Sequence, residues 1–312
     1  MEQWFQAYCD KVYAYVLPQV GKDADTAADV VQDTFMYALE TIHKFDLGRI
    51  LWARGIFYRR RPSMGKVMEA QPIPKTIDYD LWIGPAPLTP LRRANLHGDW
   101  HWVWPTGNGD TGNFGTHYID VCRWFLGEKR LARRAISVGE RFGYDDDGET
   151  PNTHISFFDY PTAPLIFEVR GLPPKQGDSA MDTFRDVRWG AVIQCEHGYF
   201  AGGWAYDGQG KRIRQFKRVG SGDHQANFIK AVRSRRTEDL QADIAEGHVS
   251  AALCHVANIS HRIGTPADPA RIRERIASHP DFVETFERFE KHLSANGIDL
   301  NKTQAVLSRN AK

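Results

Sequence analysis

The 312-residue chain is 42% hydrophobic and 25% charged, a globular composition in which no stretch reaches the length of a membrane span. Its net charge of +1 argues against a general nucleic-acid or membrane-surface binder. The balance is uneven, because of 40 Lys/Arg and 39 Asp/Glu, three and eight fall in residues 1–46, which leaves 37 against 31 in the rest.

In chain order, residues 1–46 read as a small helical hairpin. Phe5, Tyr8, Val12 and Tyr15 make one apolar stripe; Pro18 and Gly21 interrupt it, and Val31, Phe35, Ala38, Ile42 and Phe45 make a second. "RILWARGIFYRR" then has strand composition with a basic end, and "IPKTIDYDLWIGPAPLTPLRR" reads as an extended, irregular surface segment. In "HGDWHWVW", Trp100, Trp102 and Trp104 alternate as on one face of a strand. Thr116–Leu126 reads as a helix closed by Gly127. Strand-like runs follow in "RRAISVGERFGY", "NTHISFFDY", "PLIFEVRGL", "WGAVIQCEHGYFAGG" and "RIRQFKRV". Helices are expected at His224–Arg235, Ile244–Ile263 and Asp281–Asn296. The order implies an α+β fold: the helical hairpin, then a large, mostly antiparallel open β-sheet with helices packed on one face and no Rossmann domain. Cys9, Cys122, Cys195 and Cys254 are scattered, with no CxxC pair, and read as reduced thiols of a cytoplasmic protein.

Several residues could carry chemistry. "GNGDTG" (Gly107–Gly112) spells GxGxxG before a helix, but "HWVWPT" does not suit the buried parallel strand that a dinucleotide fingerprint needs. His97 with His101, and His117 with Asp120, have spacings a zinc site could use. "HGDWH" is irregular and contains Gly, so the spacing alone assigns no metal. His117 and Asp120 read by themselves as polar residues at a helix start. Trp102 suits either stacking on a sugar ring or core packing. Arg59, Arg60 and Arg61 read as a solvated edge. Arg170 shares a strand face with Glu168, giving a surface ion pair or a substrate contact.

From about residue 47 to 303 the chain resembles the C-terminal, substrate-binding domain of the Gfo/Idh/MocA oxidoreductases. The resemblance rests on "IDYDLWIGPAP", "LHGDWHWVW", "GNGDTGNFGTHYIDVCRW", "DDDGETPNTHISFFDY", "IFEVRGLP" and "FVETFERFEKHLSANGIDL". It implies a domain over 47–312 that binds a sugar or sugar derivative and dimerises or tetramerises through its sheet. It also implies NAD(P) for the complete enzyme, none of it bound by this chain alone. His117 falls on the family's catalytic histidine, which accepts a hydroxyl proton; Asn113 stands where an acid is frequent and suits a substrate hydroxyl; Asp120, Trp102 and Arg170 are further substrate-side candidates. The family's lysine lies in a nucleotide-binding domain that this sequence does not show, so the chain alone is expected to be inactive. Residues 1–46, through "VGKDADTAADVVQDTFMYALETIHKFD", are similar to region 2 of extracytoplasmic-function sigma factors, with Asp29, Gln32 and Phe35 on its acid–Gln–Phe pattern. That implies RNA polymerase core as a partner and a regulatory fusion as the alternative function. Two incomplete family segments in one frame point to a gene fusion, a rearranged pseudogene or an assembly error.

Overall fold

The computed structural model describes residues 47–216 and 222–308. The hairpin expected over residues 1–46 lies outside them. Ten strands form one sheet, in chain order β1 (Ile50–Tyr58), β2 (Ala135–Glu140), β3 (Thr153–Phe158), β4 (Leu165–Arg170), β5 (Trp189–Cys195), β6 (Gly198–Ala201), β7 (Trp204–Asp207), β8 (Arg212–Gln215), β9 (Thr265–Ala267) and β10 (Ala305–Leu307). Their spatial order is β8-β7-β6-β5-β1-β4-β3-β2-β10-β9. β1 pairs parallel with β4 and antiparallel with β5, and the other described pairings are antiparallel. The fold is thus α+β on a large, mixed, mostly antiparallel open sheet.

The helices are α1 (Tyr79–Ile83), α2 (Gly109–Asn113), α3 (Gly115–Leu126), α4 (Gly222–Ser234), α5 (Ile244–Arg262), α6 (Pro269–Ile276) and α7 (Pro280–Ala295). α3 and α5 cover one sheet face, where Ala53 and Phe57 of β1 and Leu165 and Phe167 of β4 meet Tyr118, Val121, Cys122, Leu253 and Cys254. α3 ends where its sequence said it would, with Gly127 at φ 68 donating back to Arg123 and Trp124 carbonyls. Gly115 allows the close approach: a Cβ there would stand 2.9 Å from the Cys254 sulfur.

The expectation of helices on one face only is corrected. Strand residues alternate sides, so Ile136, Val138, Ile155, Phe157 and Ile166 face away from α3 and are covered by α6 and α7. α7 contributes Phe282, Phe286, Phe289 and Leu293, one stripe at helical spacing and all buried. Each is worth roughly 1.5–3 kcal/mol of burial. Beyond α7, Trp52, Ile56, Tyr58, Val192 and Tyr206 pack under the segment holding Met181 and Val187.

The tryptophan run is a second correction. Asp99–Trp102 forms a turn of 3-10 helix rather than a strand. Its polar groups are satisfied locally: Asn95 N–H donates to the Asp99 carboxylate at 3.1 Å, and the Thr106 hydroxyl donates to the Trp100 carbonyl at 2.8 Å. The segment expected to be wholly irregular also holds α1, capped by the Asp78 carboxylate accepting from Leu81 N–H.

Candidate functional site

The site is built where β1 ends and α2 runs into α3. Phe57, the last residue of β1 on the α3 face, stacks on Phe114 with centroids 3.8 Å apart and planes 11° from parallel. Phe114 is the joint between the two helices: its N–H donates to the Asp110 carbonyl at 3.0 Å, and its own carbonyl accepts from His117 and Tyr118. The His117 ring follows, 6.1 Å from Phe114 and 6.3 Å from Tyr118. His117 and Asn113 are both half-buried.

Behind Phe114 lies a pair that the sequence reading missed. Asp110, fully buried, accepts two hydrogen bonds from Arg61, Nε to Oδ2 at 2.9 Å and Nη2 to Oδ1 at 2.6 Å. The Arg61 guanidinium sits 5.7–5.8 Å from the rings of Phe57, Trp102 and Phe114. Arg61 is therefore not a solvated edge, although Arg60 beside it is exposed. The pair ties the end of β1 to α2 and so fixes the joint that carries His117. Replacing Asp110 by Ala should destabilise the fold by about 3–5 kcal/mol, since Arg61 is then left largely buried and unpaired. Pairing Arg61→Met with Asp110→Leu should recover much of that loss. A double-mutant cycle by denaturant unfolding checks this, and additive losses would contradict it.

The other predicted site residues are placed differently. Trp102 is 4% exposed, between the guanidinium groups of Arg61 and Arg141, and its carbonyl accepts from Glu149 and Thr150; its ring is a packing surface. The Asp120 carboxylate faces α5, bonded to the Ser250 hydroxyl and to Arg123 at 3.0 Å. Arg123 continues to Glu246 at 2.7 Å, so the group clamps α3 onto α5. Burial pushes the Asp120 carboxyl up, against the lowering pull of Ser250 and Arg123. Arg170 is on the opposite sheet face from His117, 4% exposed and bonded to Asp182 beside Glu168. It is a buried ion-pair member, not a surface one. The structure therefore links His117 through Phe114 and Arg61 to Trp102, with Asn113 next to Phe114 in the chain; Asp120 bonds to Ser250 of α5, and Arg170 lies on the opposite sheet face.

His101 lies against Trp102 with centroids 4.3 Å apart; burial lowers its pKa, with Asp110 opposing the shift. His154, wholly buried on β3, exchanges a hydrogen bond of 2.8 Å with the Thr111 hydroxyl, and His261 of α5 stands 5.4 Å from it. Among the described residues no group of three or more His, Cys, Asp or Glu could hold a metal ion.

The GxGxxG loop does not form a dinucleotide cradle. A Cβ on Gly107 would lie 2.3 Å from the His101 backbone, and one on Gly112 would strike the Asn108 side chain at 1.9 Å. Gly107 is required by the loop's packing on the 3-10 turn, and that turn, not a strand, precedes the loop. A nicotinamide cofactor finds no fit at this loop. No described helix is long and apolar enough to cross a membrane.

Residues 55–148, which include Arg61, Asp110, Asn113 and His117, match the family model described as the C-terminal alpha/beta domain of the Gfo/Idh/MocA oxidoreductase family. No curated protein gives a significant match. Among solved structures, the chain is similar to the WlbA dehydrogenase of Bordetella pertussis, crystallised with NADH and UDP-GlcNAcA. The two share 17% identity, with 73% of this chain and 57% of that one covered and a TM-score of 0.46. The WlbA dehydrogenase of Chromobacterium violaceum, with the same ligands, is 16% identical over 74% and 58% of the two chains, with a TM-score of 0.45. The chain thus spans a little under three fifths of the length of either enzyme.

Proposed function

We propose that this chain is the substrate-holding part of a sugar-directed oxidoreductase of the Gfo/Idh/MocA type, with the nucleotide site supplied from outside the described residues. The observation that carries the reading is the built joint at Phe114. A buried Arg61–Asp110 pair and a stacked Phe57–Phe114 pair hold Asn113 and His117 half-buried at the end of the sheet, inside the segment that matches the family. Imidazole is the side chain suited to taking and returning a proton near neutral pH. In this reading His117 accepts the proton of a sugar hydroxyl, and the Asn113 amide orients that hydroxyl by donating or accepting a hydrogen bond. Self-association through the far end of the sheet belongs to the same reading, because Phe184, Tyr199 and Trp204 are only partly covered there.

UDP-GlcNAcA is the first probe to try. Ligand-observed NMR should show it bound to the purified chain, and His117→Ala or Asn113→Ala should weaken binding by about tenfold, the cost of a hydrogen bond lost in a sheltered site. The chain alone should not reduce NAD+ with any sugar. Unchanged binding in both variants would refute the site assignment. NAD+ reduction by the chain alone, lost in His117→Ala, would refute the view that the nucleotide site lies elsewhere.

A further inference from the structure

The geometry points to a second ligand site, separate from the His117 joint, for a small organic anion carrying a flat ring: an aryl or heteroaryl carboxylate or monophosphate. A cavity of about 440 Å³ opens between α1 and the 3-10 turn, walled by Trp82, Ile83, Ala86, His97, Trp100 and Thr106. That volume suits a one- or two-ring compound. None of its walls belongs to the His117 cluster.

Arg93 makes the cavity more than an apolar dent. It is 6% exposed, its guanidinium stacks 4.7 Å over the Trp82 ring, and Nη1 donates to the Thr106 hydroxyl at 3.3 Å. Both of those partners are cavity walls. Nε and Nη2 are buried behind those two walls with no hydrogen-bond acceptor, and Arg93 makes no ion pair among the described residues. Asp99 acts on it only at longer range, its carboxylate being taken by the Asn95 N–H at 3.1 Å. Burial accordingly lowers the Arg93 pKa.

A buried cation without a counterion is costly, and here the deficit lies against the Trp82 ring, one wall of the cavity. A ligand carboxylate or phosphate supplies the missing charge and accepts the two idle donors, which planar guanidinium presents as a fork. The ligand's ring then occupies the space between Trp82 and Trp100, and Trp100, 36% exposed, forms the open rim. No wall residue is acidic, so a cation or a neutral polyol gains nothing from the site.

The test titrates the full chain with 1-naphthoate and with 1-naphthalenemethanol by calorimetry. Naphthoate should bind saturably at one site, and the neutral alcohol about tenfold more weakly or worse, as expected for a charge-assisted hydrogen bond. Arg93→Met should reduce naphthoate to the alcohol's affinity. Trp100→Ala, at the exposed rim, should weaken both by about threefold, the worth of one aromatic contact. If Arg93→Met fails to fold, Arg93→Lys, which keeps the charge and loses the fork, should still weaken naphthoate selectively. No saturable naphthoate binding to the parent chain would overturn the proposal. So would equal affinity for the alcohol, or binding that ignores Arg93 and Trp100 and is lost in His117→Ala.

Discussion

Replacing Glu168 by Ala should destabilise the fold by about 3–5 kcal/mol, the range for removing one partner from a buried ion pair. Glu168 is fully buried on β4, facing away from α3, and every lone pair it offers is used. Arg54 Nη1 donates to it at 2.8 Å, the Tyr58 hydroxyl at 2.6 Å and Arg288 Nη1 at 3.1 Å, with Arg288 Nη2 closing a second bond. Arg54 also reaches Glu284 at 2.9 Å, and Arg288 reaches the same carboxylate at 2.6 Å, so β1, β4 and α7 are joined through two acids. Burial raises the Glu168 pKa, opposed by Arg54 and Arg170. Without that carboxylate, Arg54, 1% exposed, keeps only Glu284, and Arg170 only Asp182. Glu168→Gln should cost less than Ala, because it preserves shape and one acceptor oxygen. Adding Arg54→Met to Glu168→Leu should recover part of the loss, since paired removal leaves no orphan between them. Guanidinium unfolding of the four variants checks the series. A loss under about 1 kcal/mol for Glu168→Ala would mean that the cluster is hydrated rather than dry.

What the sequence disclosed depended on range. α3 was legible because its apolar residues recur at helical spacing and Gly127 stands ready for a positive φ. α7 was legible for the same reason, through Phe282, Phe286 and Phe289. α6 escaped because "RIRERI" shows only Ile272 and Ile276 against four charges, too few to reveal a stripe. β9 and β10 are three residues each, below the length at which alternation is readable. The tryptophans of 100–104 misled because a spacing of two is also available to a tight turn. Asn113 and His117 were visible through a resemblance, whereas the groups that hold them were not. Arg61 and Asp110 are 49 residues apart, and Glu168 and Arg288 are 120 apart. Nothing local distinguishes such residues from solvated charges; their partners exist only once β1, β4 and the helices have packed.

Acid should weaken this fold well before its carboxylates titrate. Burial holds His261 at a pKa of about 4 and, together with Arg170, His292 at about 3, while burial and the neighbouring His261 keep His154 well below the usual range. In the unfolded chain each titrates near 6.5. At pH 7 both states are neutral at these rings and little is at stake. As the pH falls through 6.5 the unfolded chain takes up protons that the folded chain refuses, so its free energy drops and stability is lost. The loss continues down to the folded pKa and then levels off. At pH 5 it amounts to about 2 kcal/mol for each of His261 and His292, by linkage from the two pKa values. Their sum of about 4 kcal/mol is a large share of a typical domain's stability, and His154 adds in the same direction. The raised carboxyls of Asp120 and Glu168 act with the opposite sign, and their contribution grows as the pH falls through the carboxylate range. Unfolding midpoints in guanidinium chloride at pH 7, 6 and 5 should fall steeply. His292→Gln should remove one histidine's share of the slope while leaving the shares of His154 and His261. A midpoint that stays level from pH 7 to 5 would show these rings to be hydrated, contrary to their placement under α7 and between α2 and α5.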